Sequence, residues 1–327
     1  MFDLISIGDS VIDTFIPLEE AEVIAGKNGP LLALPYGAKV PVSESQSFVG
    51  GNAANNAIGA SRLGLKTAIY TNVGNKDDDE ADDRIKNKLK KEGVSTRFVV
   101  ETNKLVSGHH IVLSYKGERT ILSHHPAWDY HLPDLESCKW IYLTSMAPNY
   151  LNSAILEQIA NFLERTNANL AYQPGSYQVK NGTKKMGRLL SSAQFLIMNL
   201  EEAKVFLGLD SVEIPVKKLL QKLGDLGPRN VVITNGKKGS YGFDGENFWQ
   251  IACFPGEVVE ATGAGDAYAT GVLAGLFHGQ NLAEAMRWGA ANGAAVVEQV
   301  GSTSGLLTFN KMQEKLKENS KIMAKEL

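Results

Sequence analysis

The sequence predicts an α/β protein: a mostly parallel central sheet covered by helices on both faces, with a small second β-sheet beside it. Three observations predict it. Short β-rich apolar runs alternate with longer segments of helical period, the rhythm of βαβ units. Two intervals, roughly 14–48 and 97–125, break that rhythm with extended sequence punctuated by turns. Glycine-rich stretches also stand where strands give way to helices, as at Gly50-Gly51 and Gly263-Ala264-Gly265, where small residues let backbone approach a ligand.

Taken in order, Phe2 to Gly8 reads as the first strand, Ala53 to Leu63 as a helix, Lys66 to Val73 as a strand and Glu80 to Glu92 as a helix. In the second irregular interval, Ser107 to Tyr115 and Arg119 to His124 flank Lys116-Gly117-Glu118 as a hairpin. The alternation resumes with Trp140 to Thr144, Leu151 to Arg165, Ala168 to Tyr172, Phe195 to Met198, Val212 to Leu226 and Val231 to Thr234, followed by the final helices from Gly265 onward. The expected division is a large unit of residues 1–13, 49–96 and 126–327, and a small β lid of residues 14–48 and 97–125. Ligands of such sheets gather at the carboxyl ends of the strands.

Composition bounds the function. The chain has 327 residues, 43% of them hydrophobic and 21% charged, enough for a large core. A net charge of -3 and a pI near 6.1 give no electrostatic reason for a nucleic-acid or membrane partner, so a small-molecule partner is expected. Cys138 and Cys253 stand far apart without metal-ligand or disulfide-framework spacing. No run approaches the roughly 18 apolar residues of a membrane span and the start lacks a secretory pattern, which leads to an expectation of a cytoplasmic protein.

The most informative stretch is V-E-A-T-G-A-G-D-A-Y-A-T-G, Val259 to Gly271. Gly263, Ala264 and Gly265 precede a helix-period run, so the first-turn N–H groups and the positive end of the dipole form an anion hole. Asp266 follows at once. A carboxylate there can take the proton of a hydroxyl while the amides stabilise a transferring phosphoryl group. By itself the tetrapeptide could also be a loop with an aspartate cap.

Together with Gly50 to Gly64, G-G-N-A-A-N-N-A-I-G-A-S-R-L-G, this segment resembles the two signature motifs of the ribokinase-like, or PfkB, family of carbohydrate kinases. Further landmarks in the same order are Gly8 with Asp13, Asn199-Leu200-Glu201-Glu202, Thr234-Asn235-Gly236-Lys237-Lys238-Gly239 and Asn292. The resemblance implies a three-layer α/β/α sandwich with a β lid, and an ATP-dependent transfer to a primary hydroxyl of a sugar, with a nucleoside as the alternative acceptor. It implies that Asp13, Gly50, Gly51 and Asn55 hold the substrate. Asn199 and Glu202 organise Mg2+ and phosphates, and Thr234, Gly236, Gly239 and Asn292 meet the nucleotide. It also makes Asp266 the base beside the Gly263, Ala264 and Gly265 amides, and a homodimer through the lid is expected from the lid's exposed edges.

Two departures qualify the likeness. Glu260 and Ala261 replace the family's Asp-Thr, which leaves activation by a monovalent cation such as K+ open. Thr144-Ser145-Met146-Ala147 lacks the acidic residue that ribokinase presents to its sugar. The acidic run Asp77, Asp78, Asp79, Glu80, Asp82, Asp83 reads as a solvated helix entrance, and Lys311 to Leu327 as a charged surface helix. His109-His110 and His124-His125 should lie across the hairpin from one another, with one histidine of each pair on the face over the site, where they could meet substrate, a metal with a third ligand, a partner subunit, or only water. No G-x-x-x-x-G-K-[ST] is present, and the first strand is not followed by G-x-G-x-x-G, which argues against a P-loop kinase and a dinucleotide enzyme. A catalytically silent sugar-binding protein is the remaining alternative.

Overall fold

A computed structural model describes residues 1–27, 29–76 and 80–327. Seven strands run parallel through the large sheet: β1 (Phe2–Ile7), β6 (Thr67–Gly74), β7 (Ser95–Thr102), β10 (Cys138–Leu143), β11 (Asn169–Tyr172), β12 (Ala193–Asn199) and β13 (Asn230–Thr234). Three more extend it antiparallel: β14 (Ser240–Phe243), β15 (Phe248–Ile251) and β16 (Lys325–Glu326). The order across the sheet is β16-β15-β14-β13-β12-β11-β10-β1-β6-β7.

Strand alternation divides the core into two layers. Ile5 and Ile7 of β1 face one cluster, which takes the apolar faces of α3 (Ile155–Thr166) and α7 (Val216–Gly224) through residues such as Ile159, Leu163, Leu219 and Leu223. Leu4, of opposite phase along the strand, faces the opposite cluster with Val272 of α8 (Ala264–Phe277) and Met286 of α9 (Leu282–Val296). A third cluster joins α1 (Asn52–Arg62), α2 (Ala81–Lys91) and Ile69 of β6. The shorter helices α4 (Ser176–Asn181), α5 (Gly187–Ser192) and α6 (Leu200–Phe206) and the late α10 (Phe309–Glu318) complete the covering layers.

Helix α8 is buried from Asp266 through Gly275, so its sequence is apolar all round instead of amphipathic. It packs closely on α9: a Cβ at Gly271 would stand 2.5 Å from the Trp288 carbonyl oxygen. That contact fixes the helix whose first turn carries Asp266.

The small sheet has the order β5-β2-β8-β9, from β5 (Gln46–Gly50), β2 (Val11–Pro17), β8 (Gly108–Tyr115) and β9 (Glu118–His124), and the pair β3 (Glu22–Gly26) and β4 (Gly29–Ala33) stands apart from it. Two segments differ from the sequence expectation. Residues 97–102, assigned to the lid, belong to β7 at the edge of the large sheet, because Phe98 is buried edge-on against Phe2 and pairs in register with Tyr70. Val11 to Asp13, assigned to the large unit, instead open β2 of the small sheet, paired with Gly50 to Phe48 and with Gly108 to His110. Of the acidic run, Asp77, Asp78 and Asp79 lie outside the described residues, while Asp82 and Asp83 pair with Lys86. The expected surface helix near the end of the chain stops at Glu318, and Lys325 and Glu326 return to the large sheet. No helix among the described residues is long and apolar enough to cross a membrane.

Candidate active site

The parallel strands align their carboxyl ends: Ile7 pairs with Leu143, Leu143 with Tyr172, and Asn199 with Thr234. Asp266 stands in the first turn of α8, only 8% exposed. Three side-chain amides hold it. Asn52 and Gln173 donate to Oδ1 at 2.9 and 3.0 Å, and Asn55 donates to Oδ2 at 2.8 Å. Burial pushes its carboxyl up to about 6 against the lowering effect of the Asn55 and Gln173 hydrogen bonds, and the charges of Asp13 and Glu202 push the same way as burial. A fixed acid titrating near neutrality beside a helix N-terminus can act as a general base.

Gly263 caps α8 with φ 83°, a left-handed conformation that favours glycine, and a Cβ there would come within 2.6 Å of the Ser302 Cβ. The Ala264 N–H donates to the Ala261 carbonyl at 3.3 Å. Space beside Gly265 is open, with nothing within 4 Å of an added Cβ.

On the lid side, Asp13 is buried, and its Oδ1 lies 3.0 Å from His110 Nδ1. Gly50 is required by proximity, since a Cβ there would fall 2.0 Å from Asp13 Oδ2. Gly51 has φ 92°, and a side chain would strike the Asp9 carbonyl oxygen. Asn55 differs from its expected role: both its polar atoms meet protein, Nδ2 donating to Asp266 and Oδ1 accepting from Ser302 Oγ at 2.8 Å. It positions the acid.

At the other end, Asn199 and Glu202 form a reciprocal cap on α6, with Glu202 N–H donating to Asn199 Oδ1 and Asn199 N–H to Glu202 Oε2. Burial raises the Glu202 carboxyl. Thr234 ends β13 beside Asn199, and Gly236 (φ 50°) faces open space. Gly239 has a local reason to be glycine, because a Cβ would stand 2.0 Å from the Ile251 carbonyl oxygen. Asn292 is a correction. It is fully buried, donating to the Ala267 carbonyl at 2.8 Å and accepting from Leu307 N–H at 3.0 Å, so it ties α8 to the following loop and presents nothing to a nucleotide.

Glu260 binds within the protein: Oε1 accepts from Thr262 N–H and Oγ1, and Oε2 from Ser114 Oγ of the lid at 3.2 Å. The histidines sort by face as alternation requires. His109 pairs across from His124 and contacts Thr14 Oγ1, while the His110 and His125 rings meet at 5.1 Å over the site. Among the described residues no group of three or more His, Cys, Asp or Glu could hold a metal ion. Sequence reasoning missed Asn52, Gln173 and Asp9. Asn52 lies inside the Gly50 motif, and Gln173 and Asp9 follow strand carboxyl ends, which was their only signal.

The family model described as pfkB family carbohydrate kinase matches residues 4–308. The chain belongs to the pfkB family of carbohydrate kinases. Among its pfkB relatives, 5-dehydro-2-deoxygluconokinase of Shouchella clausii is 29% identical over 301 residues, covering 85% of this chain and 90% of the other. Arabidopsis thaliana ribokinase complexed with ribose and ATP superimposes with a TM-score of 0.76 at 21% identity, over 97% of this chain and 99% of that one. A provisionally named ribokinase II from E. coli, in complex with ATP and Mg2+, gives 0.79 at 15% identity over 98% and 100%. At such identities the two structures establish a shared ribokinase fold. The chain is thus a carbohydrate kinase, a phosphotransferase with an alcohol acceptor.

Proposed function

We propose that this protein transfers the γ-phosphate of ATP to a primary hydroxyl of a sugar or sugar derivative, with Asp266 as the general base. The observation that carries the reading is the Asp266 carboxylate itself, buried at a helix N-terminus, held by three amides and titrating near 6. Asp13, beside the closely approaching backbone of Gly50 and Gly51, takes substrate hydroxyls. Asp266 accepts the proton of the reacting hydroxyl, the alcohol oxygen attacks the γ-phosphorus in line, and ADP departs with the electrons of the broken bond. The N–H groups of Gly263 and Gly265 offset charge on the transferring group, the Ala264 N–H being taken by the Ala261 carbonyl.

The nucleotide lies along Thr234 and the Gly236 turn. Asn199 and Glu202 offer only hard oxygen donors, which fits Mg2+ held through water and nucleotide phosphates; when bound, the ion neutralises phosphate charge. The lid edge β9, fully exposed with Ile121 and Leu122 at the surface, favours pairing with a second copy, to be read from the mass in solution. Placement in the cytoplasm completes the reading, and fractionation checks it.

The test is ADP release from Mg-ATP against ribose, fructose, fructose 6-phosphate, 2-keto-3-deoxygluconate, adenosine, inosine and cytidine. Turnover of a sugar supports the proposal. Turnover confined to nucleosides, or none, overturns it.

A further inference from the structure

Buried polar atoms without a partner belong to residues that neighbour Asp13 in sequence or in strand register. Asp9 Oδ2, Ser10 Oγ and His110 Nε2 are all buried and make no hydrogen bond among the described residues. Asp9 and Ser10 lie in the short passage from β1 to β2, and His110 of β8 pairs in register with Asp13 of β2. Orphaned buried polar groups are rare in folded proteins and ask for an occupant.

Asp9 is built in, not loosely placed. Its Oδ1 accepts from Tyr130 Oη at 2.5 Å, that hydroxyl accepts from Ala147 N–H at 2.8 Å, and the Asp9 N–H donates to the Ser145 carbonyl at 2.9 Å. The His110 ring lies within electrostatic reach of the Asp9 carboxyl. On its other side the His110 ring meets His125, which meets Tyr177 at 5.4 Å.

The chemistry of the orphans is one-sided. In the tautomer that donates from His110 Nδ1 to Asp13 Oδ1, a neutral ring leaves Nε2 an acceptor. Asp9 Oδ2 is an acceptor above about pH 7, where the carboxyl that burial has raised to about 7 is ionised, and Ser10 Oγ can play either part. Acceptors of this kind want O–H donors, whereas phosphate and carboxylate bring only acceptors and a charge of the same sign as Asp9. The side chains joined here by hydrogen bond or ring contact, Asp9, Asp13, His110, His125, Tyr130 and Tyr177, include no lysine or arginine. Burial holds His125 down to about 4, so it is neutral near pH 7. Lys76 and Lys104 are exposed and line a cleft of about 240 Å³ with His124 and His125.

We propose that Asp9, Ser10 and His110 form a second substrate subsite, which takes hydroxyl groups other than the one presented to Asp266 and selects an uncharged polyol over a sugar phosphate or sugar acid. The inference rests on the kinase reading above, because it names the far part of the same substrate. Asp9→Asn keeps an oxygen for Tyr130 and removes the charged acceptor.

The experiment compares wild type, Asp9→Asn and Asp266→Asn at about pH 8.5, where Asp9 is ionised, for binding of ribose, fructose, fructose 6-phosphate and 2-keto-3-deoxygluconate by calorimetry, and for kcat and KM. Melting temperature and Mg-ATP affinity report that each variant is folded. A neutral sugar should bind wild type most tightly, and Asp9→Asn should weaken it roughly 10- to 100-fold, the scale of a lost hydrogen bond to a charged group. KM should rise by a similar factor with kcat little changed. Asp266→Asn should show the opposite split. Tightest binding by either anionic sugar, no binding of either neutral one, or an Asp9→Asn affinity equal to wild type overturns the inference. In the last case an inactive Asp266→Asn still leaves the kinase reading standing.

Discussion

Asn55 donates a hydrogen bond to Asp266 at 2.8 Å across 211 residues of sequence, and the same Asn55 accepts one from Ser302. The two family motifs thus meet as one unit in which the first aims the acid carried by the second. Replacing Asn55 by Ala should therefore lower kcat more than it raises the sugar KM. With the remaining amides of Asn52 and Gln173 still in place, a loss of roughly 10- to 100-fold is expected, as for a misplaced catalytic group. Steady-state kinetics decides: a pure KM effect would return Asn55 to the role of a sugar ligand.

The pH dependence follows from burial. Asp266 works as a base only when ionised, so kcat/KM should fall with acid through an apparent pKa of about 6. A limb near the ordinary aspartate value would mean that the acid is solvated or is not the base.

Asp9 allows the same physics to be read in stability. Burial raises its carboxyl to about 7, so its contribution is fully present below the unfolded value near 4 and is lost as pH rises through 7. Asp9→Asn carries no such loss. The variant should gain stability relative to wild type between about pH 5 and about pH 8. Thermal scans at both ends of that window check the sign, and a difference independent of pH would show that Asp9 is not held in a desolvated site.

Asn292 separates structure from ligand contact. Asn292→Ala leaves the Leu307 N–H without its partner and removes the second bond to the Ala267 carbonyl, at a cost of about 1 to 3 kcal/mol. The melting temperature should drop by several degrees while the KM for ATP stays near wild type. A raised KM for ATP with no thermal change would restore the nucleotide contact.

Much of this was legible beforehand. The alternation of apolar runs located β1, β6, β10 to β13 and the helices α1, α2, α3 and α7 but not α4 or α5, and period-two alternation put one histidine of each pair on a face, although the register sets His109 opposite His124 and leaves His125 beyond β9. Asp266 was singled out by its place after a glycine-rich turn, and Asp13 and Gly50-Gly51 by the resemblance to the pfkB motifs. Partnership was not. Asn55 and Asn292 are amides that suit a ligand or a carbonyl equally well, and only the fold decides which side of a helix meets protein. Gln173 is a single residue after a strand, with Tyr142 Oη donating to it and its amide turned to Asp266; no local pattern encodes a contact made 93 residues later. The β7 error had a similar cause, since Ser95–Thr102 alternates no differently from a lid strand until Phe98 finds Phe2.

Gly50 offers a steric test of the sugar side. Gly50→Ala places a Cβ 2.0 Å from Asp13 Oδ2, and Asp13 is buried against His110 with little room to yield. Sugar affinity should fall by about tenfold or more, in line with the roughly 1–3 kcal/mol of an overpacked site. Unchanged sugar binding would indicate that Asp13 is not the residue that holds the substrate.

The central claim is that Asp266 takes the proton of the acceptor hydroxyl, and the most direct measurement is the rate of ADP release by Asp266→Asn on the sugar that wild type turns over. A fall in kcat of roughly 10² to 10⁴, with sugar and Mg-ATP affinities near wild type, is the expected result for a lost general base. Turnover close to wild type would contradict the assignment and with it the mechanism built on this site.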